Sequence, residues 1–95
     1  MEANLKATKA PPPPREDVEY IELHLSLAAL LAKRRKSLGY TETEVAELIG
    51  SSQSRVAKME SGDPSVSVDL LIRSLLALGV KRAQVGRAIG STISA

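Results

Sequence analysis

The 95-residue sequence contains no cysteine, no tryptophan, no phenylalanine and a single histidine. Without cysteine there is neither a disulfide framework nor a Cys/His zinc site, and an intracellular, cytoplasmic setting is expected. With one histidine and no thiol, no activated nucleophile can be set against a second group, so neither enzyme activity nor a cofactor is expected. His24 reads as a structural residue. No Gly-rich run precedes a lysine as a phosphate cradle requires, and Gly62, Asp63 and Pro64 supply too few oxygen ligands for a calcium loop. No metal site is expected. Long apolar runs are also missing, because Lys33, Arg34, Arg35 and Lys36 interrupt the richest one, so no membrane span is expected. The residues ahead of the prolines hold Glu2 and no extended apolar stretch, so no signal peptide is expected.

What is present is alanine, leucine and other aliphatic residues, which fill a small core best when carried on interlocking helices. Basic residues exceed acidic ones by only two. Their distribution is uneven. Residues 1–32 sum to −2 and residues 33–61 to +2, while residues 62–80 sum to −1 and residues 81–95 to +3. Positive charge around the middle and the C-terminus is compatible with a polyanionic partner.

Residues 1–14 end in four prolines and offer little to bury, so they read as a disordered arm with a stiff, polyproline-II end. A spacer and a docking tract for an aromatic groove both fit that composition. From Glu16 the spacing turns helical, with Val18, Ile21, Leu25, Ala28 and Ala32 as the predicted inward stripe. Leu23, Leu27, Leu30 and Leu31 widen it, and a helix apolar on more than one side has more than one neighbour. Glu16 and Asp17 at the start and Lys33–Lys36 near the end suit the helix dipole, and Gly39 supplies the stop. The stretch Ile21–Leu25 also alternates with period two, which leaves a brief strand open.

Thr41 and Glu44 make a capping box for a second helix through Val45, Ala46, Leu48 and Ile49 that stops at Gly50. Ser51 or Ser52 caps a third helix with Val56 and Met59 inward. Asp63, Pro64 and Ser65 form a turn, and Ser67 caps a fourth helix over residues 68–78. A fifth, over about residues 81–89, offers Val85, Ala88 and Ile89. The sum is an all-α domain of five helices over residues 15–90, with residues 91–95 as a flexible tail.

Residues 42–61 carry two short helices joined by Gly50, Ser51 and Ser52. Gly50 admits a positive φ at the joint, and Ala46 is small where the helices cross. This is the pattern of a helix-turn-helix, in which the first helix braces and the second presents its N-terminal turns to a major groove. Gln53 pairs well with adenine N6 and N7, and Lys58 reaches a base or a phosphate. Arg55 lies two residues, roughly 200°, around the helix from Gln53 and suits phosphate. Ser52 and Ser54 serve as caps or phosphate donors.

The segment TETEVAELIGSSQSRVAKMESG resembles the Cro/CI-type (Xre) helix-turn-helix family. Followed by GDPSVSVDLLIRSLLALGV, it is similar to the HigA-like antitoxins of bacterial toxin–antitoxin operons. The resemblance covers about Leu30 to Ile89. It implies a compact Cro/CI-repressor-like fold and a homodimer bound to a palindromic operator in double-stranded DNA. It also implies repression of the chain's own operon, and a cognate protein toxin of RNase type. Gln53, Ser54 and Lys58 match the base-reading places. By charge and position alone, Ser52, Arg55, Arg34 and Lys36 are candidate phosphate contacts, with a solvated face the alternative for Arg34 and Lys36. Arg35 and Glu60 match a structural ion pair.

Two positions depart from the family's pattern. Glu42 stands where a phosphate-contacting glutamine is usual, and Asp63 where the following loop offers basic or amide donors. Both weaken attachment to DNA. Val85, Ala88 and Ile89 are the expected dimer contacts, and Ile21, Leu23 and Leu27 the expected toxin contacts. A free-standing repressor without a toxin, and a helical interaction module that binds no DNA, are the alternatives.

Overall fold

The computed structural model describes residues 11–91. Five helices occupy them: α1 (Arg15–Ser37), α2 (Glu42–Ile49), α3 (Gln53–Glu60), α4 (Val68–Ala77) and α5 (Arg82–Gly90). The all-α expectation holds. The period-two stretch Ile21–Leu25 lies inside α1, with no break into a strand. Residues 1–10 of the expected arm and 92–95 of the expected tail lie outside the described residues. Pro11–Pro14 are exposed, and Pro14, at φ −55° and ψ 147°, is close to polyproline II. Its carbonyl then accepts the backbone N–H groups of Asp17 and Val18, which starts α1 without a side-chain cap.

α1 is the central element and packs against α3, α4 and α5, while α2 packs on α3 and α4. Its inward face differs from the predicted stripe. Leu27, Ala28 and Leu31 are buried together with His24, whereas Val18, Ile21 and Leu25 are exposed. Of the narrow stripe only Ala28 is buried, while Leu27 and Leu31 come from the leucines expected to widen it. Apolar content alone misjudged the phase, because the first turns of α1 have no helix opposite them. A polar residue also takes a core place: His24 Nε2 lies 2.6 Å from the Val66 carbonyl. A carbonyl only accepts, so Nε2–H is the donor and the buried Nε2 is satisfied.

Apart from the buried Ser26 and Ser74, the rest of the core is apolar, with Val45, Val56, Met59, Leu71 and Leu75 fully buried and Val66, Leu78, Val80 and Val85 nearly so. Each fully buried leucine contributes roughly 2–3 kcal/mol. Leu48, counted among the apolar positions of its helix, is largely exposed, and Leu76 on α4 is exposed as well. Of the three expected dimer residues, Val85 is buried, Ala88 packs on the core and Ile89 is exposed. Of the three expected toxin contacts, Leu27 is sealed inside the domain and Leu23 packs against the core, which leaves Ile21 at the surface. Leu27 and Val85 therefore cannot touch a partner while the domain is folded.

Arg34 joins the ends of the fold. Its Nε–H donates to the Leu78 carbonyl at 2.8 Å, occupying one of the carbonyls left open where α4 stops. Among the described residues, no helix is long and apolar enough to cross a membrane.

Candidate nucleic-acid interface

The geometry of α2 and α3 follows from their caps. The Thr41 hydroxyl accepts the Glu44 N–H at 3.1 Å, and Glu44 Oε1 accepts the Thr41 N–H at 2.8 Å, which completes the capping box. α2 ends at Gly50, whose φ of 69° is left-handed and directs the chain into α3. Ser52 caps α3 by accepting the Arg55 N–H at 3.2 Å, leaving the Gln53 and Ser54 N–H groups without a capping side chain. These are the donors that a phosphate would meet at a helix N-terminus.

α3 is anchored on one side and at its C-terminal end. Val56 and Met59 are fully buried. Arg35 Nε and Nη2 donate to the two Glu60 carboxylate oxygens at 2.6 and 3.0 Å, and Nη1 donates to the Tyr40 carbonyl at 2.9 Å. The expected ion pair is therefore present, bidentate and mostly withdrawn from solvent, at 15% and 9% side-chain exposure. The hydrogen bonds that Arg35 donates to Glu60 raise its already high pKa. This pair ties the C-terminal end of α3 to α1.

The opposite face of α3 is open. Gln53, Ser54, Arg55 and Lys58 are all exposed. At 100° per residue, Ser54 and Lys58 fall within roughly 40° of each other, farthest from the core, with Gln53 on the α2 side and Arg55 on the other. Ala57 lies between Gln53 and Lys58 and is partly exposed. Nothing polar marks Ala57 in the sequence, and only the helical arrangement brings it to this face.

Gln53 is held by α2. Its Nε2 donates to Glu42 Oε1 at 2.7 Å, across eleven residues. The anion expected only to repel a phosphate thus also orients the glutamine. Asp63 has a local role as well. Its Oδ1 accepts the Ser65 N–H at 2.8 Å, and that bond lowers its pKa. Arg34, expected toward phosphate, is turned to Leu78, whereas Lys36 is exposed. Among the described residues, no group of three or more His, Cys, Asp and Glu side chains is arranged to hold a metal.

A curated relative from Mycobacterium tuberculosis, named "Putative antitoxin HigA3", is 55% identical over 40 residues. That match covers 41% of this chain and 37% of the relative. No solved structure matches the chain. A family model described as helix-turn-helix matches residues 31–85, which is more than half of the sequence and includes every capping and anchoring contact of α2 and α3. The chain belongs to the helix-turn-helix family.

Proposed function

We propose that this chain is a transcriptional regulator that reads double-stranded DNA with α3 in the major groove. We further propose that it is the antitoxin of a toxin–antitoxin pair and represses its own operon. One observation carries the DNA reading. α3 is fixed by two buried side chains and a bidentate ion pair, and it turns Gln53, Ser54 and Lys58 outward from its first two turns. A rigid base with exposed donors is what base readout needs. The antitoxin assignment draws on the likeness to the mycobacterial relative.

In this reading Gln53 faces an adenine. Its amide has two N–H bonds, and one is given to Glu42. The other N–H and Oε1 remain for adenine N7 and N6, so the intramolecular bond orients the side chain without using up its bidentate edge. Ala57 suits a thymine methyl group, and Lys58 a guanine edge or a phosphate. Ser52, Arg55 and Lys36 attach to the backbone. Glu42 lowers general attraction to DNA and fixes the one side chain that discriminates.

A single α3 makes few contacts, so two copies bind a palindromic operator. Ile89 remains as the exposed dimer contact on α5. Ala88, the partly buried member of the expected set, lines a groove of about 390 Å³ between α1 and α5 together with Ala29, Leu30 and Arg87.

The test is binding to the DNA upstream of the chain's own reading frame and to random duplex, at several fixed salt concentrations. A specific regulator holds its own site at least about 10³-fold more tightly at physiological salt. Equal affinity for both duplexes at every salt would leave only non-specific attraction and end the proposal.

A further inference from the structure

Among the described residues, the N-terminal half of α1 carries an apolar stripe that no other helix covers. Val18, Ile21 and Leu25 are 36%, 54% and 37% exposed. At 100° per residue these three fall within roughly 60° of arc, about a third of a turn from the buried stripe of His24, Leu27 and Leu31. Beside them, Tyr20, Ile21, His24 and Leu25 form a mainly apolar cleft of about 150 Å³ with Gly62 and Pro64. The Leu25 side chain lies against Gly62, where a Cβ atom would collide with it. The cleft is thus closed on one side by the loop that follows α3.

The charges around the stripe are mostly acidic. Asp17 and Glu22 lie roughly 70° to either side of its centre. Over residues 15–25, Glu16, Asp17, Glu19 and Glu22 against Arg15 leave a net charge of −3. A second copy seated on this face would bring −3 against −3, which like-charge repulsion disfavours. Anionic lipid and DNA are disfavoured for the same reason. The chemistry fits a basic partner.

We infer that this face is the docking site for a basic protein, which places an apolar side chain in the Tyr20–Pro64 cleft and lysines or arginines against Asp17 and Glu22. This rests on the antitoxin reading and identifies the surface that holds the toxin. The surface runs through Val18, Ile21 and Leu25, and excludes Leu27, which is sealed in the core. Because the cleft borders the loop after α3, an occupied site also touches the segment leading away from the DNA-reading helix.

The probe is the purified product of the gene adjacent to this chain's own, titrated against the full chain by calorimetry. Ile21→Asp is expected to weaken binding at least about tenfold, as for a central apolar anchor. The double charge reversal Asp17→Lys/Glu22→Lys is expected to weaken it by a similar factor and flatten its salt dependence. Leu48→Asp, at an exposed position on α2, leaves affinity unchanged. All three variants keep the wild-type circular dichroism spectrum. Should Ile21→Asp lower the melting temperature, Ile21→Ser carries the same expectation.

Wild-type affinity in both the Ile21 and the charge-reversed variants overturns the docking surface alone and leaves the antitoxin reading standing. No binding by the wild-type chain overturns both. A self-association of the chain that Ile21→Asp abolishes also overturns the inference, since a second copy would then occupy the face.

Discussion

In the C-terminal half of α1, Leu27, Ala28 and Leu31 are turned into the core and Arg35 is paired with Glu60; in the N-terminal half, Val18, Tyr20, Ile21 and Leu25 face solvent. Both halves are apolar on one side and belong to one unbroken helix. The difference lies in what stands opposite. The C-terminal half has α3, α4 and α5 to pack on, and its apolar side chains hold those helices in place. The first turns lack such neighbours, and acidic residues surround their apolar side chains. The same kind of residue therefore stabilises the fold in one half and remains available to a partner in the other.

Leu31→Ala tests this contrast most severely. Leu31 is fully buried, and its truncation is expected to cost about 3–4 kcal/mol through lost burial and the cavity left behind. Ile21→Ala is expected to change stability by less than about 0.5 kcal/mol. Urea unfolding of both variants measures the difference, and similar losses would erase the division of α1.

Arg35→Ala comes next, with an expected loss of about 3 kcal/mol, because Glu60 is left mostly buried without its partner. Arg35→Lys keeps the charge but not the two-pronged geometry, and is expected to recover only part of the loss. Loss of DNA binding in Arg35→Ala should track the unfolded fraction across temperature. Binding lost while the domain stays folded would instead place Arg35 on the DNA.

Ser74 has the opposite sign. Its hydroxyl is buried and has no hydrogen-bond partner among the described residues. Ser74→Ala is therefore expected to raise stability, by up to about 1 kcal/mol in thermal unfolding. A clear loss would mean that the hydroxyl is satisfied.

The smallest effect concerns the loop beside the exposed half of α1. Asp63 accepts the Ser65 N–H, and its pKa lies below the ordinary 3.8. Its contribution is thus present above that ordinary value and lost as pH falls through the lower, folded one. Stability measured from pH 6 to pH 2 should fall less steeply at the acid end in Asp63→Asn than in the wild type. Identical slopes would remove the link.

Local chemistry made much of the fold legible. The Thr41–Glu44 box, the Ser67 cap, the stop at Gly50 and the Asp63–Ser65 turn depend on neighbours in the chain, and each stands where the residues predict it. The Arg35–Glu60 pair was legible through the family resemblance. The phase of α1 was not, because burial depends on which helices lie opposite and because His24 and Ser26 occupy buried places usually given to apolar residues. For the same reason, Arg34 on Leu78 and Glu42 on Gln53 could not be read from spacing, since each joins residues remote in the chain.

The most direct measurement concerns base readout by α3. The DNA upstream of the reading frame is bound at fixed salt by the wild type and by Gln53→Ala, with every base pair of the site replaced in turn. The wild type should lose about tenfold or more when one A·T pair per half-site is replaced, within the range of a bidentate contact. Gln53→Ala should bind the intact site more weakly and lose nothing further at that pair. Two identical profiles, with the same losses at every base pair, would contradict the account.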